Sequence, residues 1–90
     1  MSKAIVDPGD LRKFANDLKR FNETLHNQMG VLHGRMIGLG ATWRDQEHNK
    51  FVEEFEQTMK VLGRFVEASN KHIPFLIRKA ERVEEYLQQR

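Results

Sequence analysis

Apolar residues recur at intervals of three and four along two long stretches of this chain, and this spacing constrains the fold more than any other feature. The first stretch opens at Asp7-Pro8 and contains no further proline. Its regularly spaced apolar residues are Leu11, Phe14, Leu18, Phe21, Leu25, Leu32 and Leu39. Residues three and four apart share one face of an α-helix, so the spacing predicts an amphipathic helix with a coiled-coil-like seam. With Asp7 as N-cap and Pro8 at the first helical position, we expect this helix at residues 8–38.

The second stretch repeats the pattern after a short interruption. Its apolar residues are Phe51, Phe55, Met59, Leu62, Phe65, Ile73, Leu76, Ala80, Val83 and Leu87. Pro74 falls inside it, and because proline removes a backbone donor, it kinks a helix. The segment after it, FLIRKAERVEEYLQQR, consists mostly of strong helix formers. We therefore expect a turn at residues 39–42 and one helix at residues 43–88, kinked near Pro74.

The short polar stretch between the helices carries the signals for a chain reversal. Gly38 and Gly40 suit a left-handed helix end, because glycine adopts positive φ without steric cost. Thr42 and Asp45 have the spacing of a capping box, with Thr42 as the N-cap of the second helix. The only tryptophan, Trp43, then lies on the first turn of that helix. We expect its ring to be mostly buried over the open end of the hairpin.

A connection this short makes consecutive helices antiparallel neighbours. The predicted fold is therefore one all-α domain, residues 1–90, built as an antiparallel two-helix hairpin. The heptad pattern pairs residues whose numbers add up to about 82 across the hairpin. In this register Leu76 meets Ile5 and Val6, and the helix end beyond about residue 82 overhangs without a partner.

Further apolar residues flank the predicted seam, and a lone hairpin would leave them partly exposed. These candidate partner-binding residues are Met29, Val31, Met36, Val52, Val61 and Val66, with Val83, Tyr86 and Leu87 on the overhanging end. A domain of this size buries only about 60% of the surface of its unfolded chain. Two hairpins together would cover these residues, so we expect a four-helix bundle, formed as a homodimer or as a heterodimer with a similar hairpin.

Composition argues against other kinds of partner. The net charge is only +2 with 31% charged residues, so the basic pI reflects a near balance of charges and not a nucleic-acid-binding surface. There is no cysteine to form a disulfide or a thiolate zinc site. No apolar run approaches the length of a membrane span, and we expect no membrane insertion.

The residue patterns that could form a catalytic or metal-binding site are incomplete. His33 and His48 could approach each other across the hairpin, but two imidazoles make at best a weak metal site. Ser69 and His72 lie three residues apart on one helix. A hydrolase would also need an orienting acid and an oxyanion hole. We therefore expect no catalytic residue, no metal and no cofactor.

The DPGDLRKFANDL opening, Trp43 at mid-chain and the Phe51-x-x-x-Phe55 stripe resemble the W-x-G superfamily, typified by the early secreted antigenic target. The resemblance covers nearly the whole chain. It implies a non-enzymatic protein-binding module that is a secreted effector, a chaperone or a partner in a bacterial type VII secretion system. The alternative is an intracellular helical adaptor or structural subunit with the same fold and no role in secretion.

Two positions depart from the family pattern. Asp45 stands where the family has glycine, so the motif reads W-R-D. The family's export signal pairs a tyrosine with an acidic residue four positions later, whereas Tyr86 is followed by Arg90. The N-terminus has no apolar signal-peptide segment. We expect a cytoplasmic protein or one exported by a non-classical, type VII route.

Overall fold

Two long α-helices form the fold. The computed structural model describes residues 6–89, in which α1 spans Pro8–Leu39 and α2 spans Gln46–Gln88 and continues through Pro74. Residues early in α1 contact residues late in α2, so the helices are antiparallel. They form a rod 69 Å long and 19 × 15 Å across. A helix of 43 residues rises about 65 Å, so α2 alone accounts for this length. The predicted all-α helical hairpin is confirmed.

α1 begins at the predicted N-cap. Asp7 has an extended backbone, and its Oδ1 accepts hydrogen bonds from the N–H groups of Gly9 at 2.7 Å and Asp10 at 3.3 Å. Pro8 occupies the first turn, where its missing N–H leaves no donor unpaired. Local side-chain chemistry is therefore sufficient to place this end of the helix.

The other end of α1 lacks the predicted left-handed cap. Gly38 lies inside the helix, and Gly40 is the C-cap with a φ of −60°. The chain continues in right-handed turns, in which the N–H of Gly40 donates to the carbonyl of Ile37 and the N–H of Trp43 donates to that of Leu39. Because these bonds satisfy the last carbonyls of the helix, a left-handed residue is not needed.

α2 begins three residues later than predicted, at a different cap. Asp45 is the N-cap, and its side chain accepts a hydrogen bond from the N–H of His48 at 3.0 Å. Thr42, predicted to fill this position, belongs to the turns that follow α1. The connection therefore covers residues 40–45 instead of 39–42. Because the chain continues in right-handed turns past the end of α1, Thr42 lies within those turns, and Asp45 is the residue that caps α2.

Most of the side chains buried between the helices are small or polar. The buried residues are Ala15, Asn22 and Met36 on α1, and Ser69 and Ala80 on α2. Those on α1 are separated by multiples of seven, so they lie in one row along the helix. Phe14 and Phe21, which were predicted to form the seam, precede this row by one position and are rotated about 100° away. Both are more than half exposed, at 56% and 55%, so the predicted seam is wrong at these residues.

The pairing of the helices is displaced from the predicted register. Under that register Asn22 would face about residue 60. Its Nδ2 instead donates to Oδ1 of Asn70 at 3.0 Å. Arg12 reaches Glu84 at 2.8 Å, so α1 pairs with α2 beyond the point where an overhang was predicted. The longer connection contributes to this displacement, because it delays the start of α2.

The segment before α1 lies beside the end of α2. Val6 lines a groove of about 220 Å³ with Val83 and Tyr86, further along the helix than the predicted contact at Leu76. Ile5, for which the same contact was predicted, lies outside the described residues. Val83 is partly buried, so this end does not overhang as predicted.

Candidate partner-binding face

Large aromatic side chains are exposed along one side of the hairpin. We call this surface the aromatic face, and its residues are Phe14, Leu18, Phe21, Phe65, Phe75 and Leu76. A groove of about 480 Å³ runs along it between the helices. The rings of Phe21 and Phe65 meet edge to face between the two helices, with centroids 6.4 Å apart. Four of the six phenylalanines are thus exposed on this side of the hairpin.

Helical spacing explains why the rings are exposed. Phe14 and Phe21 each precede a buried residue by one position, and Phe65 likewise precedes the partly buried Val66. One position turns a side chain by about 100°, which directs it past the neighbouring helix. The groove also contains the polar side chains of Ser69 and His72. No acid accompanies them among the residues that line it.

The opposite side of the hairpin is closed by polar contacts between the helices. Beyond the Asn22–Asn70 amide pair, Nε2 of His33 lies 3.1 Å from a carboxylate oxygen of Glu56. Near the chain ends, the Arg12 guanidinium donates two hydrogen bonds to Glu84. These bonds lower the pKa of Glu84 below its usual value. Apart from Oδ1 of Asn22, these side chains pair within the hairpin, so this side is the less suitable one for burial against a partner.

The connection end carries a second aromatic cluster. Trp43 is partly buried, and its ring lies 5.0 Å from that of His48 and 5.6 Å from that of Phe51 between centroids. The Phe51 ring in turn stacks on that of Phe55 at 5.7 Å. Trp43 therefore packs against α2, although it lies in the connection and not on the first turn of the helix. His48 packs against this ring, and His33 bonds to Glu56.

The predicted partner-binding residues do not form one surface. Met36 is buried inside the hairpin, so its assignment to a partner-binding surface is wrong. Met29 and Val66 line a groove on the polar side. The remaining residues are partly or largely exposed: Val31, Val52, Val61, Val83, Tyr86 and Leu87. The sequence prediction did not identify Phe14, Phe21 and Phe65 as surface residues, because it assigned them to the seam. The signal in the sequence was that Phe14 and Phe21 each precede a residue of the Ala15–Asn22 row by one position.

The comparisons with known proteins identify the family. The chain matches the family described as proteins of 100 residues with WXG, or WXG100, over residues 4–86. None of the curated proteins and none of the solved structures matches the chain. The match covers most of the sequence, and the chain therefore belongs to the WXG100 family.

Members of this family share several general properties. They are small helical hairpins, generally non-enzymatic, that typically form dimers and are associated with type VII secretion effectors. Neither helix between residues 6 and 89 contains a segment long and apolar enough to cross a membrane.

Proposed function

Because the chain belongs to the WXG100 family, we propose that it is a non-enzymatic interaction module of a bacterial type VII secretion system. In this role it binds another helical hairpin through its aromatic face and acts as an effector, a chaperone or a partner in export. The observation that supports the proposal is the placement of its aromatic rings. Phe14 and Phe75 are each 56% exposed, while the buried positions hold Ala15, Asn22, Met36, Ser69 and Ala80.

The energetics of this arrangement favour association. Covering the exposed part of each ring removes roughly 100 Å² of apolar surface, which is worth about 2.5 kcal/mol at about 25 cal/mol per Å². The four phenylalanines of the aromatic face would together supply about 10 kcal/mol from each protomer. Association costs about 4–15 kcal/mol in lost freedom of motion, so burial from two protomers is sufficient for a stable complex.

A charge placed in the aromatic face tests the binding surface. Phe65→Glu should reduce association with the partner hairpin, because pairing would bury its carboxylate among apolar groups. Ile37→Glu is the matched control, since Ile37 is 63% exposed on α1 and does not line the groove of the aromatic face. Light scattering measures complex size, and circular dichroism checks that both variants keep their helices. Equal loss of association in the two variants would argue against the aromatic face.

Secretion is tested separately from binding. An epitope-tagged protein is expressed in a bacterium that carries a type VII system and in the same strain without the secretion ATPase. We expect the protein in the culture medium of the first strain only, with a cytosolic enzyme as the control for lysis. Retention in both strains, with binding intact, would instead favour an intracellular adaptor without a role in export.

A further inference from the structure

The last ten residues of α1, residues 30–39, differ in composition from the rest of the helix. They contain Gly30, Gly34 and Gly38, and we call them the glycine segment. All three glycines lie inside the helix, and none of them has a positive φ. A Cβ added at any of the three would meet no atom within 4 Å. Neither the backbone conformation nor the packing of the hairpin therefore requires glycine at these positions.

Glycine weakens a helix at interior positions. It loses more backbone freedom on folding than any other residue, so each glycine makes helix formation about five-fold less favourable than alanine would. Three glycines together lower the helix-forming equilibrium of the segment by about 100-fold. Residues 11–29, which precede the segment in α1, contain no glycine. Helix propensity therefore falls towards the connection end of α1.

Packing against α2 compensates for this weakness only in part. The large aliphatic side chains of the glycine segment are 44% to 63% exposed: Val31, Leu32, Ile37 and Leu39. Within residues 30–39, Met36 is the one buried residue. The side-chain bond from this segment to α2 joins His33 to Glu56, and both of these side chains are more than 40% exposed. Few buried contacts are thus lost when the segment unwinds.

The connection is attached to the glycine segment through the backbone. The N–H groups of residues 40–43 donate to the carbonyls of Ile37, Gly38 and Leu39. Unwinding of the segment breaks these bonds and releases the main chain of Trp43. α2 does not depend on them, because its first turn is capped by Asp45.

We propose that the glycine segment and the connection, residues 30–43, form one unit that opens and closes while the rest of the hairpin stays folded. In the open state the Arg12–Glu84 and Asn22–Asn70 pairs still join the helices, and α2 remains helical from its own cap. The hairpin therefore has a second conformation in which the backbone that carries Trp43 is free. The tryptophan of the WXG motif lies on the part of the chain that opens most readily.

Native-state hydrogen exchange, resolved for each amide by NMR on the complete chain at one protein concentration, measures this opening. The amides of residues 34–43 should share one protection factor, about ten-fold or more below that of residues 15–25. Low concentrations of urea should change their exchange little, because the opening exposes few buried side chains. Replacement of all three glycines, as Gly30→Ala with Gly34→Ala and Gly38→Ala, should raise the protection of residues 34–43 by about ten-fold to 100-fold.

Gly63→Ala is the matched control, because Gly63 lies inside α2 and a Cβ there also meets no atom within 4 Å. Residue 63 stays helical in both the closed and the open state. This variant should therefore leave the protection of residues 34–43 unchanged. Residues 15–25 exchange through unfolding of the whole hairpin, and their protection should rise by about five-fold.

Three outcomes would overturn the proposal. Equal protection of the two regions in the wild type, or an equal response of both to Gly63→Ala, would show that the hairpin opens only as a whole. Protection that declines steadily from residue 34 to residue 43 would indicate fraying of a helix end and not a unit. Unchanged protection of residues 34–43 in the triple alanine variant would show that the glycines do not cause the opening.

Discussion

Replacement of Asn22 by leucine tests whether the buried amide lowers the stability of the hairpin. The side chain is 2% exposed; its Nδ2 donates to Asn70, whereas its buried Oδ1 has no partner among the described residues. An unpaired buried acceptor costs about 1–3 kcal/mol, while a single hydrogen bond contributes about 0.5–1.5 kcal/mol. Asn70 is exposed, so water replaces the bond on its side. We therefore expect Asn22→Leu to raise the free energy of unfolding by about 1 kcal/mol.

The groove beside Asn22 makes the substitution sterically feasible. It has a volume of about 440 Å³, which gives the leucine methyl groups room without displacing α2. The measurement is urea unfolding followed by circular dichroism at one fixed protein concentration, because association shifts the apparent stability. Leucine is also a better helix former than asparagine by a few tenths of a kcal/mol.

A matched control separates the effect of burying the amide on stability from the effect of helix propensity. Asn16 is exposed on the same helix, so Asn16→Leu measures the change in helix propensity alone. The reasoning requires Asn22→Leu to be more stable than Asn16→Leu. If it is less stable, the Asn22–Asn70 contact is a net stabilising interaction and the unpaired oxygen is not a significant cost.

Substitutions at four further positions test the connection and the chain ends. Trp43→Ala should lower the free energy of unfolding by about 2 kcal/mol, as expected for a partly buried indole; an unchanged melting temperature would identify a free surface residue. In urea unfolding, Asp45→Ala should lower the free energy of unfolding by about 1 kcal/mol, whereas Asp45→Asn should lower it much less and Thr42→Ala almost not at all. A larger loss of stability for Thr42→Ala than for Asp45→Ala would identify Thr42 as the N-cap. Arg12 lowers the folded-state pKa of Glu84, so this pair stabilises the protein above the unfolded pKa of the carboxyl group and ceases to do so as pH falls through the folded value. The stability difference between the wild type and Glu84→Gln should therefore shrink below about pH 4, and a pH-independent difference would contradict this cause.

The candidate interface shows where prediction from the sequence reached its limit. The exposed phenylalanines are recognisable as apolar positions at helical spacing, but this spacing is equally compatible with a seam inside the hairpin. A shift of one position exchanges the buried and exposed rows, because successive residues are turned by about 100°. Ala15 and Ala80, both fully buried, show which row the helices use, since small side chains allow close approach of the backbones. Their low apolar content made them weak signals in the sequence.

The sequence by itself determined what depends on neighbouring residues. The Asp7 cap, the helical spacing and the polar break near Trp43 are local features, and they were enough to predict two helices, one reversal and the family resemblance. The register between the two helices is different. It depends on how many residues of the connection continue in helical turns, and on contacts between distant segments such as Asn22–Asn70. Only the tertiary structure therefore decided which rings remain outside. The physical reason is that helix formation is governed by interactions between residues close in the sequence. The buried face of each helix is instead set by packing against the other helix, and local sequence preferences do not specify the relative rotation of the two helices.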